Sequence, residues 1–270
     1  MLAAGPGGSG VSEATVDGQI SDENASGLAI VSPRYGYFGM GQFLFWPDRK
    51  KFVRWFMDQF TETLARYPHA TRIDFIGHSN GTYLLKGALD DYDMIGFSRV
   101  VFAGSVVPRD FHWDELLAKE RIDKVRNYVG TSDMVVGLFP RLFELYGLRK
   151  LNDMGSAGFN GFDAFPPNNP GGSTNFANVT IPGGHSAFHL VADQIASFVM
   201  NDQEPAGTPD LAAPSCIWKF VSRYAFWIVW LGIAWAIVFP GVQVARAAGV
   251  YAWVPVVAYG ALVFLLLKRL

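Results

Sequence analysis

One stretch limits the possible folds more than any other: Arg72-Ile73-Asp74-Phe75-Ile76-Gly77-His78-Ser79-Asn80-Gly81-Thr82-Tyr83-Leu84-Leu85-Lys86-Gly87-Ala88-Leu89. Ile73 to Ile76 is a β-type run, and Leu84, Leu85, Ala88 and Leu89 recur at helical spacing beyond Gly77-x-Ser79-x-Gly81. The pattern predicts a strand, a tight turn and a helix. A serine at the apex of such a turn takes a strained backbone conformation, and the strand and helix approach closely enough to require small residues at Gly77 and Gly81. The backbone N–H of Asn80 then falls at the helix N-terminus, beside the place where an oxyanion on an attacked carbonyl would develop. A serine that only capped the helix would not need glycine on both sides.

The rest of the chain alternates strand and helix signals around this unit. Residues 1–26 are rich in Gly, Ala, Ser and acidic side chains, with too little apolar surface to offset ordering, and read as a disordered tail. They contain neither a basic nor an apolar leader region, so no secretory signal is expected. Gly27 to Ser32 reads as a buried strand ended by Pro33. Val53, Phe56, Met57, Phe60, Leu64 and Tyr67 repeat at helical spacing, giving a helix over about Arg49 to Tyr67 whose aromatic stripe reads as core. Val100 to Ser105 and Lys124 to Gly130 read as strands separated by a helix over Trp113 to Arg121. Leu151 to Asn178 is rich in Gly, Asn and Pro around Phe159, Phe162 and Phe165, and reads as a cap segment over a pocket. A short strand, Asn178 to Ile181, leads through Pro182-Gly183-Gly184 to His185 and a helix over Ser186 to about Asn201. This alternation predicts an α/β domain over 27–204, with a mainly parallel sheet and helices on both faces. Ligands in such folds sit at the carboxyl ends of the strands.

The Gly-His-Ser-Asn-Gly turn resembles the nucleophile elbow of the α/β-hydrolases. The resemblance implies a parallel sheet flanked by helices and a serine nucleophile followed in chain order by an acid and a histidine; no cofactor and no metal are expected. Carried over to this chain, Ser79 is the nucleophile and His185 the general base and then acid. Asp133, just past the strand ending at Gly130, fixes the imidazole tautomer. His189 is the alternative base, and Asp153 and Asp163 are alternative acids. Asn80 supplies an oxyanion donor, and His78, Tyr35, Tyr37 and Phe38 line the substrate pocket. His185 and His189 lack a third ligand at a recognisable spacing, which speaks against zinc. The family's N-terminal strands are not evident. Gly27 to Ser32 resembles either its fourth strand, which would leave out the loop that carries the second oxyanion donor, or its third, in which case the Tyr35-Gly36-Tyr37 backbone takes the donor role.

Half of the residues are hydrophobic and the mean hydropathy is +0.17, more apolar than a globular core requires. Residues 205–216 read as a linker. In 217–270 no charge falls between Arg223 and Arg246, or between Arg246 and Lys268. Each gap of about 20 residues spans a ~30 Å hydrocarbon layer as a helix. Two membrane helices are expected, turned near Pro240-Gly241. Lys219, Arg223, Lys268 and Arg269 at the outer ends, against Arg246 alone in the turn, place both termini and the catalytic domain in the cytoplasm. A net charge of −2 gives no sign of nucleic-acid binding, and the single cysteine, Cys216, forms no intrachain disulfide. The function expected from these features is a membrane-anchored serine hydrolase acting on small-molecule or lipid carboxylic esters. The rival expectations are a catalytically silent, membrane-tethered binding module and an acyltransferase using the same triad.

Overall fold

The computed structural model describes residues 2–4, 29–32, 46–138, 140, 153–163, 175–204, 227, 231–232, 234–243, 245–246 and 255–262. The chain divides into two units, one formed by Met1–Tyr35 with Lys50–Ser215, the other by Gly36–Arg49 with Cys216–Leu270.

The first unit is an α/β fold. Its strands are β1 (Leu2–Ala4), β2 (Ala29–Val31), β3 (Ile73–His78), β4 (Phe97–Ala103), β5 (Ile122–Gly130) and β6 (Phe176–Ile181). They form one sheet in the order β2-β1-β3-β4-β5-β6. β3 to β6 run parallel, whereas β1 is antiparallel to both of its neighbours. The helices are α1 (Trp46–Arg66, of which the part from Lys50 belongs to this unit), α2 (Asn80–Asp91), α3 (Trp113–Ala118), α4 (Met134–Leu138), α5 (Ala157–Asn160) and α6 (Ala192–Asn201), the last preceded by a 3-10 turn over Ala187–Val191.

Successive side chains of a strand point to opposite faces, and the sheet sorts its residues accordingly. On one face Phe75 meets Phe56 of α1 and Phe102, and Phe102 meets Trp113 of α3, at ring separations of 5.6, 6.2 and 5.5 Å. On the other face Val101, Ala103, Tyr128, Val179 and Ile181 form a buried cluster with Ile195, Phe198 and Val199 of α6. At the amino-terminal edge of this second face, Asp74 pairs with Arg72 at 2.9 Å and accepts the Arg99 N–H at 3.0 Å. Arg72 and Arg99 both donate to the Val199 carbonyl in the last turn of α6. There the cations meet the negative end of the helix. Arg99 and Lys124 hold Asp202, and Arg126 holds Glu204.

Two expectations are corrected here. Leu2–Ala4, placed by composition in a disordered tail, is instead a strand of the sheet between β2 and β3. Backbone pairing on both sides holds it, and this does not require bulky side chains. The Phe-rich stretch is core rather than cap where it is described: Phe159 and Phe162 are 0% and 1% exposed. The N–H groups of Gly155, Ala157 and Gly158 donate to the carbonyls of Val106, Val107 and Ser105, so this segment is laid against the chain leaving β4. Phe165 lies outside the described residues.

In the second unit, helical backbone runs through 234–243 and includes Pro240 and Gly241, so the expected turn is not there. A second helical stretch covers 255–262. The Tyr259 hydroxyl donates to the Ile237 carbonyl at 2.9 Å, and the Tyr259 ring would lie 3.3 Å from a Cβ on Gly241. The two stretches therefore pack against each other, at a point where glycine allows the approach. Among the described residues no helix is long and apolar enough to cross a membrane.

Candidate functional site

The parallel run of β3 to β6 brings three loops to one edge. Ser79 follows β3, Asp133 follows β5 and His185 follows β6. Ser79 has φ 52° and ψ −120°, a conformation in the region that L-residues rarely adopt, and its side chain makes no capping hydrogen bond to α2. The plain N-cap role therefore does not apply. The main chain of the turn is pinned instead. Ser79 N–H donates to the Ala103 carbonyl at 3.0 Å, and the Ser79 carbonyl accepts from Thr82 N–H and from the Thr82 hydroxyl at 3.0 and 2.6 Å. The same Thr82 oxygen accepts the Val106 N–H at 3.1 Å. A Cβ on Gly77 would lie 2.6 Å from the Phe75 ring and 3.2 Å from Thr82 N, which accounts for glycine there; one on Gly81 would meet nothing.

His185 Nδ1 lies 3.0 Å from Asp133 Oδ2 and 3.2 Å from Oδ1. Asp133 is 1% exposed and His185 18%, so a sealed carboxylate faces an imidazole that still reaches the surface. Asp133 Oδ1 also accepts the Val136 N–H of α4. The two loops are stitched together by Ser132 N–H to the Gly183 carbonyl at 2.9 Å and Gly183 N–H to the Thr131 hydroxyl at 3.1 Å. Gly183 has φ +112°, a value that favours glycine.

The competing residues are occupied or turned away. His189 is exposed on the 3-10 turn. Asp153 accepts from Tyr83 and pairs with Lys86, and Asp163 pairs with Arg109. No group of three or more metal-binding side chains occurs among the described residues. No protein-family model, curated protein or solved structure matches the chain.

Asn80 is 7% exposed, and among the described residues neither atom of its carboxamide has a hydrogen-bond partner. His78, expected in the pocket lining, turns its ring to the main chain of His185 and to Phe188. Tyr35, Tyr37 and Phe38 lie outside the described residues. Sequence reasoning missed Thr82 and Gly104. Thr82 stands three residues after the turn serine, a spacing that could have suggested a local hydroxyl bond. Gly104, at the end of β4, carries no local signal, because its need for φ +54° and for the space filled by His185 is set by other strands.

Proposed function

We propose that the protein is a serine hydrolase acting on carboxylic esters, held at a membrane by its C-terminal hairpin. The observation that carries this reading is the pairing of His185 with the buried Asp133 on the same sheet edge as a strained serine whose hydroxyl caps nothing. With Nδ1–H donated to Asp133, the His185 tautomer leaves Nε2 as a lone-pair base. The Ser79 oxygen bonds to the acyl carbon while its proton passes to Nε2, and the carbonyl π pair moves onto oxygen. Collapse breaks the ester C–O bond, and Nε2 returns the proton to the departing alcohol. Water then repeats the sequence on the acyl-enzyme and frees the acid. The backbone N–H of Asn80, the first residue of α2, is the donor proposed for the oxyanion. An acyltransferase would differ only in using an alcohol in place of water.

The α/β-hydrolase likeness of the sheet is part of the same proposal. β2 stands two places from β3 with β1 between them, so the strand expected from Gly27 to Ser32 does not pair with the one that leads to Ser79. Because β1 runs antiparallel to β3, its last residue, Ala4, lies at the edge away from Ser79, and the end of this strand offers the serine no second donor. This observation favours the second reading, a catalytically silent module.

The membrane hairpin is supported by two helical stretches in 217–270 that pack on each other and expose Leu231, Trp235, Val238, Phe239, Val256, Val257 and Leu262. The excess of cations at the outer ends, Lys219, Arg223, Lys268 and Arg269 against Arg246, supports a cytoplasmic domain with both termini on that side.

A fluorophosphonate probe separates the readings. The hydrolase requires labelling of the wild-type protein and its loss in Ser79→Ala and His185→Ala; an unlabelled wild type leaves the silent module.

A further inference from the structure

His78 ends β3 and immediately precedes Ser79, yet its ring contributes neither nucleophile nor base. Its Nε2 lies 2.9 Å from the main-chain oxygen of His185. A carbonyl oxygen only accepts, so Nε2 carries the proton and donates. The ring sits 4.3 Å from Phe188 and 4.8 Å from the His185 imidazole, centroid to centroid. Burial lowers its pKa below the ordinary 6.5, and the charges of His185 and His189 act in the same direction. The bond to the His185 carbonyl and the charge of Asp133 oppose the shift without reversing it. The ring is therefore held toward its neutral form, in which a single tautomer satisfies its bond.

The segment that carries His185 is secured unevenly. From the β5 side it is stitched by the Ser132 to Gly183 and Gly183 to Thr131 bonds and by the Asp133 carboxylate. From the β3 side, among the described residues, the hydrogen bond comes from His78. Without that bond the imidazole would keep its acid, but the hydrogen bond that fixes its main chain to the serine's own turn would be gone.

We propose that His78 is a positioning residue: its Nε2–H ties the main chain of His185 to the turn that carries Ser79, so that nucleophile and base are registered through adjacent residues. The inference takes its catalytic meaning from the hydrolase reading above. A base displaced by about 1 Å is enough to cost on the order of 10²-fold in rate, which sets the scale of the effect.

The test compares wild type, His78→Gln and His78→Phe as full-length folded protein. Glutamine keeps an N–H donor at similar reach, whereas phenylalanine keeps the ring packing on Phe188 and loses the donor. His78→Leu repeats the second arm if the larger ring does not fit. Hydrolysis of a p-nitrophenyl ester is expected to fall about 10- to 10²-fold in kcat for His78→Phe with KM nearly unchanged, and to stay within about threefold of wild type for His78→Gln. In parallel, the imidazole NMR signals of His185 are expected to be single and sharp in wild type and His78→Gln, and broadened or split in His78→Phe. Unaltered kcat or unaltered His185 signals in His78→Phe would overturn the proposal. A wild type that neither hydrolyses ester nor accepts the fluorophosphonate, but still shows the NMR contrast, would leave the tie in place and remove the hydrolase reading instead.

Discussion

Gly104 and His185 are packed so that a single methyl on the glycine would stand 2.8 Å from Cε1 and 2.9 Å from Nδ1 of the imidazole, and 3.4 Å from Asp133 Oδ2. Gly104 also has φ +54°. Gly104→Ala is therefore expected to push the imidazole off its carboxylate and to strain the end of β4. Esterase activity should fall on the order of 10²-fold, the scale of a roughly 1 Å misplacement. Unfolding free energy should fall by about 1–3 kcal/mol, as for a non-glycine residue held at positive φ. Steady-state kinetics and chemical denaturation check the two halves, and full activity in the alanine variant would contradict the packing.

Asp133→Asn leaves size and shape almost unchanged, and Oδ1 still accepts the Val136 N–H, so the fold should persist. The neutral amide neither holds the Nδ1–H tautomer nor stabilises an imidazolium. Rate is expected to fall by roughly 10⁴-fold, as for the equivalent change in serine-histidine-aspartate enzymes generally. Comparing Asp133→Asn with Asp153→Asn and Asp163→Asn by fluorophosphonate labelling checks the assignment, because only the first should lose labelling.

Asp74 gives a pH dependence that has nothing to do with the reaction. It is 1% exposed, and burial pushes its carboxyl up to about 6 against the pull of Arg72 and Arg99. A carboxyl that holds its proton more tightly folded than unfolded contributes stability in full below the unfolded pKa of about 4, and loses it as pH rises through the folded value. Between pH 7 and pH 4.5, wild type should therefore gain on the order of 2 kcal/mol relative to Asp74→Asn, whose amide oxygen can still accept the Arg99 N–H. Urea unfolding of the two proteins at both pH values measures the difference; parallel behaviour would show that the arginines outweigh burial.

Gly158→Ala tests whether the Phe-rich segment is core. The added Cβ would run into Ser105 N and stand 2.6 Å from Gly104 C, both backbone atoms that cannot swing aside. The expected loss is at least about 1–3 kcal/mol of stability, with activity following because Gly104 abuts His185. A movable cap would accept the methyl with unaltered thermal stability.

The legible parts of the fold were those whose signal lies within a few residues. The strand, turn and helix around Ser79 announce themselves through β-type residues, small residues and helical spacing, and they form β3, the strained turn and α2. The loops carrying Asp133 and His185 were legible because each closely follows a strand signal, Lys124 to Gly130 and Asn178 to Ile181, which form parts of β5 and β6. The segment 153–163 was misread because glycine and polar residues, which locally signal a loop, here satisfy their backbone groups against Val106, Val107 and Ser105 from another part of the chain. The turn in the second unit was misplaced because proline and glycine together signal a break. At Pro240-Gly241 the helix instead continues, and glycine gives Tyr259 room to approach.

The sequence by itself determined which residues occupy the carboxyl edge, since strand polarity and chain order follow from local pattern. It also determined the apolar character of 217–270. Only the tertiary structure decided that His185 pairs with Asp133 rather than Asp153 or Asp163, that His78 faces the base rather than a pocket, and that Leu2–Ala4 fills the sheet beside β3. Hydrophobic periodicity is written along the chain, whereas hydrogen-bond partners and the space left for a glycine are set by segments far apart in sequence, 52 residues for Asp133 and His185 and 107 for His78 and His185, that meet only on folding.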